Sequence, residues 1–170
     1  MLDILNNLKP FFEDNYRKIN VREYARIQKI SPPTASKILE NMHKEGLLKK
    51  EKDKLYIYYY PNRGCDLFIE LTRIYWKNVL ENCGLLKELE ETFLNPVVIL
   101  FGSLSKAEAK KDSDIDLAIF APSKKEFNSE KYEKLLKRKI QLFIFKNLED
   151  VKSKELLNNI LNGYKLKGDW

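Results

Sequence analysis

Asp114 and Asp116 stand one residue apart at the start of the apolar run Ile115–Phe120. In a strand, alternate side chains share a face, so the two carboxylates fall together and Ile115 and Leu117 fall opposite. Paired carboxylates at that spacing offer hard oxygen ligands suited to Mg²⁺ or Mn²⁺. Upstream, a second apolar run, Val97–Phe101, ends in Gly102-Ser103. Gly102 lets a phosphate approach the backbone, and Ser103 can open a helix whose N–H groups favour an anion. Both runs are short, β-branched and bounded by turn formers, as buried strands are. A phosphate cradle at one strand end, facing a metal-binding pair on the next strand, implies a nucleotide site. Gly102 and Ser103 would hold the phosphates, and Asp114 and Asp116 the metal.

The spacing Gly-Ser, about a dozen residues, then Asp-x-Asp between apolar residues resembles the nucleotidyltransferase superfamily of DNA polymerase β, in its minimal, archaeal-type form. Gly102, Ser103, Asp114 and Asp116 match that motif position for position, Glu108 fits its loop, and Ser113 precedes the first aspartate. The resemblance runs from about Leu85 to Gly168 and implies a nucleoside triphosphate with Mg²⁺ or Mn²⁺. The loop departs from the usual Ala-Arg-Gly and reads Ser105-Lys106-Ala107. Lys106 keeps a charge for the nucleotide but loses the bidentate fork of an arginine. The strand expected at Lys139–Lys146 departs further. Active members carry a third carboxylate there, and the matching position is Gln141, a neutral amide that is a poor metal ligand and no base. Glu149 or Asp150, just beyond, is the substitute the sequence offers. Whether Asp114 and Asp116 alone are catalytic is left open.

The charge is uneven. Residues 1–63 hold 13 Lys and Arg against 8 Asp and Glu, whereas residues 64–170 hold 18 against 17. An excess confined to the N-terminal third points to a polyanionic partner there. The apolar recurrence Leu2, Leu5, Leu8, Phe11, Phe12 predicts a first helix. A second is expected over Val21–Gln28, capped by Asn20, with Tyr24, Ala25 and Ile27 inward. A third starts after Ser31 with Pro32 in its first turn and Ala35, Ile38, Leu39 and Met42 inward, and stops at Gly46. Leu47–Lys50 and Leu55–Tyr60 then read as strands around the tip 51–54.

Three helices and a hairpin make a winged-helix pattern, and SPPTASKILENMHKEGLLKK resembles the recognition helix and wing entry of archaeal and bacterial winged-helix regulators. The resemblance implies that Ser31, Thr34, Ser36 and Lys37 face double-stranded DNA, with Lys49, Lys50, Lys52 and Lys54 on the phosphate backbone. Tyr56, Tyr58, Tyr59 and Tyr60 either stack on bases or pack the wing against the body.

The chain is thus expected to be α+β: a winged helix over 1–63, a linker or dimerisation helix over 64–83, and a small mixed-sheet nucleotidyltransferase-like domain over 84–170. The linker helix, near Asp66–Glu81, carries Phe68, Leu71, Ile74, Tyr75 and Val79 on one side and could pair with its copy in a homodimer. A polar loop after Phe120, a helix at Glu130–Leu136, another near Leu156–Leu161 and a short final strand complete the pattern. Cys65 and Cys83 lack metal-site spacing and read as reduced thiols. With a mean hydropathy of −0.48 and no membrane-length apolar run, a cytoplasmic location is expected. The favoured role is a nucleotide-responsive transcriptional regulator with a weakly active or inactive transferase domain. An active nucleotidyltransferase acting on a protein, nucleic acid or small-molecule hydroxyl is the first alternative. An antitoxin-like partner of a toxin-like helical protein is the second.

Overall fold

The computed structural model describes residues 2–122 and 125–170. Ser123 and Lys124, in the polar loop expected after Phe120, lie outside them. The chain divides into two units, Met1–Thr72 with Ala107–Lys111, and Arg73–Lys106 with Asp112–Trp170. The division falls between Thr72 and Arg73, inside a helix, whereas the sequence pattern ends the first domain at residue 63. No helix of the described residues is long and apolar enough to cross a membrane.

The first unit runs α1 (Leu2–Glu13), β1 (Ile19–Asn20), α2 (Val21–Gln28), α3 (Pro32–Lys44), β2 (Leu48–Asp53) and β3 (Tyr56–Pro61). The strands form an antiparallel sheet in the order β1-β3-β2. The Asn20 side chain caps α2 by accepting the Glu23 N–H, and Ser31 caps α3 by accepting that of Thr34. Gly46, at φ +75°, follows α3 in the left-handed conformation that glycine adopts without strain. Leu8, Phe11, Phe12, Tyr24, Ala35 and Leu39 are fully buried here. Each large apolar side chain removed from water contributes about 1.5–3 kcal/mol before entropy is counted.

Two expectations fail in this unit. Ile27 is 39% exposed, because α2 is too short to bury a third position beside Tyr24 and Ala25. The hairpin is longer than expected: Glu51, Lys52 and Asp53 are strand residues, and only Lys54 and Leu55 make the turn. Of the four tyrosines, only Tyr59 is buried. The segment Ala107–Lys111 is held by Asn15, which is 1% exposed. Its backbone N–H donates to Ala109 O, and its Oδ1 accepts the Ala109 N–H, both at 2.8 Å.

Helix α4 (Asp66–Asn82) runs through the division. Its apolar side buries Phe68, Leu71, Tyr75, Trp76 and Leu80 within one chain. Ile74 and Val79, also on the side expected to pair in a homodimer, are half-buried.

The second unit continues with α5 (Leu85–Phe93), β4 (Val97–Phe101), α6 (Gly102–Ser105), β5 (Ile115–Phe120), α7 (Glu130–Leu136), β6 (Ile140–Phe145), α8 (Lys154–Leu161) and β7 (Tyr164–Lys167). The sheet order is β6-β5-β4-β7, with β5 and β6 parallel and the other pairs antiparallel. Val97, Ile99, Phe101, Ala118 and Phe120 line one face, and Leu156, Leu157 and Ile160 of α8 pack on it. The alternate residues Val98, Leu100, Leu117 and Ile119 are also fully buried, so the central strands read as continuous apolar runs.

Candidate active site

Three strand positions stand in a row across the sheet. Phe101 at the end of β4 pairs with Asp116 on β5, and Asp116 pairs with Gln141 on β6. Asp116 is thus the first polar residue on a face that is otherwise apolar. Gly102 follows Phe101 with φ +71°, and a Cβ there would overlap the Asp116 carboxylate. Its bareness makes room for an acid of the site itself, a nearer need than the phosphate for which it was expected. The short α6 then turns away. Ser105 is buried and its Oγ donates to Gly102 O at 2.9 Å, while Arg73 Nε donates to Ser105 O at 2.8 Å.

Asp114 lies just before β5. Gln141 Nε2 donates to its Oδ2 at 2.7 Å. The amide orientation follows from chemistry, since an ionised carboxylate only accepts. The Asp114 backbone is fixed from the opposite strand. Ile115 N donates to Lys139 O at 2.9 Å, and the Arg138 guanidinium donates to Ser113 O. Arg138 is 8% exposed and lies over the Trp76 ring at 5.1 Å. Burial raises the pKa of the Asp116 carboxyl above its ordinary value, and the neighbouring Asp114 charge adds to the rise.

Gly102, Ser103, Asp114, Asp116 and Gln141 are therefore brought to one end of the sheet. Lys106 is turned to α8, where its Nζ donates to Asn159 Oδ1 at 2.9 Å. Glu149 and Asp150 cannot complete the site. Because β5 and β6 are parallel, Phe120 pairs with Phe145, and both acids follow at that far end. The distance along the strands is about 13 Å at 3.3 Å per residue. Asp150 is also engaged, accepting the Lys146 N–H. Among the described residues, no three His, Cys, Asp or Glu side chains converge as a metal-binding group.

Residues 83–165 match the family model of the nucleotidyltransferase domain. Such domains generally use divalent metals such as Mg²⁺ and imply a nucleotide substrate. The matched region of this chain contains Gly102, Ser103, Asp114, Asp116 and Gln141. Comparison with curated proteins and with solved structures found no match.

In the first unit, Thr34, Ser36 and Lys37 are exposed on α3. Ser31 is committed to its cap, and its Oγ lies 2.8 Å from Thr34 Oγ1. The hairpin lysines expected on the phosphate backbone do not share a face. Lys50 pairs with the buried Tyr59 and Lys49 with Tyr60, so their side chains leave opposite faces of β2. Lys50 is bound to both oxygens of Glu40 on α3, at 2.9 and 3.0 Å. The Tyr59 hydroxyl donates to the same carboxylate at 3.1 Å. Burial first, then this acid, pushes the Tyr59 hydroxyl up to about 12. Lys52 and Lys54 lie toward and on the hairpin turn.

No motif or periodicity marks Arg138, Arg73, Asn159 or Asn15. Arg138 sits in the run Lys137-Arg138-Lys139, which reads as a solvated face. Only tertiary packing distinguishes it from its neighbours.

Proposed function

We propose that the chain is a DNA-binding transcriptional regulator whose nucleotidyltransferase domain binds a nucleoside triphosphate with Mg²⁺ or Mn²⁺ and turns it over weakly or not at all. The observation that carries this reading is Gln141, seated beside Asp116 and donating to Asp114. It stands where a third carboxylate would be expected, and it spends one Asp114 oxygen on an amide.

The donor set fits one ion. The other Asp114 oxygen and the Asp116 carboxylate, completed by triphosphate oxygens and water, suit an octahedral Mg²⁺. Bound there, the ion would neutralise phosphate charge and polarise the phosphoryl group. Asp114 and Asp116 would hold it, the Gly102–Ser103 backbone would seat the phosphates, and Lys106 would reach them only by leaving Asn159. Gln141 cannot take a proton from an attacking hydroxyl, so the general-base task has no occupant among these residues. A second ion would need a further carboxylate to share it.

The DNA half rests on the winged-helix element order, the basic excess of residues 1–63 and the exposed polar face of α3. Lys50 is excluded from direct phosphate contact while Glu40 holds it, and Lys49 faces away from α3. Lys37, Lys52 and Lys54 are the cations left for the duplex.

The test combines equilibrium binding of each labelled nucleoside triphosphate with a transfer assay, both with Mg²⁺ and Mn²⁺. Retention of a nucleotide without label transfer is expected, and it should be lost in Asp114→Asn/Asp116→Asn. Robust metal-dependent transfer by the natural chain would replace this reading with that of an active enzyme. For the DNA half, Lys37→Ala with Lys52→Ala should weaken duplex binding and reduce its salt slope by about 2. An unchanged slope would remove α3 and the wing from the interface.

A further inference from the structure

The sheet of the first unit has two unlike faces. Tyr59 and Lys50 turn to α3, where both bind Glu40. Alternation sends Tyr60 and its β2 partner Lys49 to the opposite face. Ile19 pairs with Tyr59, so Lys18 falls beside Tyr60, with its ammonium 5.4 Å from that ring. Lys18, Lys49 and Tyr60 border a cavity of about 350 Å³, together with Asn15, Tyr16 and Arg63. The Arg63 guanidinium lies 4.1 Å over the Tyr16 ring, which is 45% exposed.

Of the cleft's cations, two are left without a counter-charge. Lys18 pairs with Glu51. Lys49 and Arg63 are exposed, and among the described residues no carboxylate forms an ion pair with either. A guanidinium laid on a ring keeps its outward N–H groups for an anion. Further along β3, Tyr56 and Tyr58 continue the same face with rings 6.4 Å apart, and Tyr56 is 47% exposed. Glu51 and Asp53 share that face toward the hairpin turn. They repel phosphate there and leave the Arg63 end as the positive end.

We propose that this cleft, on the back of the sheet from α3, binds a nucleoside phosphate. The phosphate lies on Lys49 and Arg63, and the base lies against Tyr16 and Tyr60. Cations beside a row of aromatic rings are how unpaired nucleotides are held. The cavity suits one nucleotide-sized group, whereas a duplex keeps its base faces stacked inside. The ligand is either a free nucleotide or an unpaired nucleic acid strand. The site is separate from the acids on β5 and from the exposed face of α3.

The test uses the full chain in EDTA, which silences metal-dependent binding. The probes are AMP and a 5′-fluorescein ten-nucleotide oligo(dT), followed by calorimetry and anisotropy. Lys49→Ala/Arg63→Ala and Tyr60→Ala should each weaken binding by about tenfold or more, and Tyr60→Phe should keep it. Arg22→Ala/Arg26→Ala removes the same charge from α2, where both side chains are exposed, and should change it by less than about twofold. Circular dichroism and thermal midpoints confirm that each variant is folded. Residue-dependent binding of AMP assigns the site to free nucleotide, and of oligo(dT) alone to an unpaired strand. The proposal is overturned if neither probe binds at millimolar concentration. It is equally overturned if the α2 charge pair weakens binding as much as the cleft pair.

Discussion

The Gln141 amide nitrogen lies 2.7 Å from Asp114 Oδ2, on the strand position that pairs with Asp116. An amide there binds one of the two acids without adding charge. Replacing it by a carboxylate would add a third anionic ligand and remove the donor that occupies Asp114. Gln141→Asp is therefore expected to raise Mg²⁺ affinity by about tenfold, equivalent to about 1.4 kcal/mol. Calorimetric titration with Mg²⁺ checks it. Unchanged affinity would mean that Asp114 and Asp116 are not the ion's ligands.

Gly102 is the second constraint on the same acids. Its φ is +71°, and a Cβ would meet the Asp116 carboxylate. Gly102→Ala combines backbone strain with displacement of an acid, so a stability loss of about 1–3 kcal/mol is expected. Nucleotide retention should fall with it. Urea denaturation measures the first effect and equilibrium dialysis the second. A stable variant with intact retention would show that Asp116 can move aside without consequence.

Burial, then the Asp114 charge, places the folded-state pKa of Asp116 above its ordinary value. The folded chain then keeps the Asp116 proton to higher pH than the unfolded chain does. This contribution is whole below the ordinary aspartate pKa and is lost as pH rises through the raised one. Asp116→Asn should therefore raise the thermal midpoint at neutral pH, and the gain should vanish toward about pH 3. Mg²⁺ should restore the wild-type protein preferentially, because only it gains from binding. A variant less stable than wild type at neutral pH without metal would refute the account.

The strands β4 and β5 were legible because their apolar residues are buried and both runs are short and β-branched, with boundaries at Asn95-Pro96, Gly102 and Ser113. The acids were legible because a polar pair inside an apolar run has few structural uses. The faces of β2 were not. Lys49, Lys50 and Lys52 look alike in sequence, and only the pairing of Lys50 with Tyr59 shows which of them Glu40 takes. The partner of the apolar side of α4 was not legible for the same reason. Periodicity reveals that Phe68, Leu71 and Tyr75 are buried, but not what buries them. Glu149 and Asp150 were offered as substitutes because closeness in sequence hides the direction of a strand, and the parallel pairing of β5 with β6 puts them at the wrong end.

Arg138 gives the last prediction. Its guanidinium is nearly buried, lies 5.1 Å from the Trp76 ring and donates to the carbonyl of Ser113, the residue before Asp114. Through Ser113 it fixes the backbone that carries one of the acids. Arg138→Lys keeps a charge for the ring but loses the planar fork that also reaches Ser113. Arg138→Met fills the volume without a donor and leaves the Ser113 carbonyl without that partner. The lysine variant is expected to lose about 1 kcal/mol of stability and the methionine variant about 1–3 kcal/mol. Both should weaken Mg²⁺-dependent nucleotide retention beyond what their thermal midpoints account for, because Asp114 gains freedom. Amide hydrogen exchange at Ile115, which donates to Lys139 O, reports that freedom directly. Faster exchange there, with unchanged exchange in the first unit, is the expected result. Weakened retention with unaltered exchange at Ile115 would assign Arg138 a different part in the site.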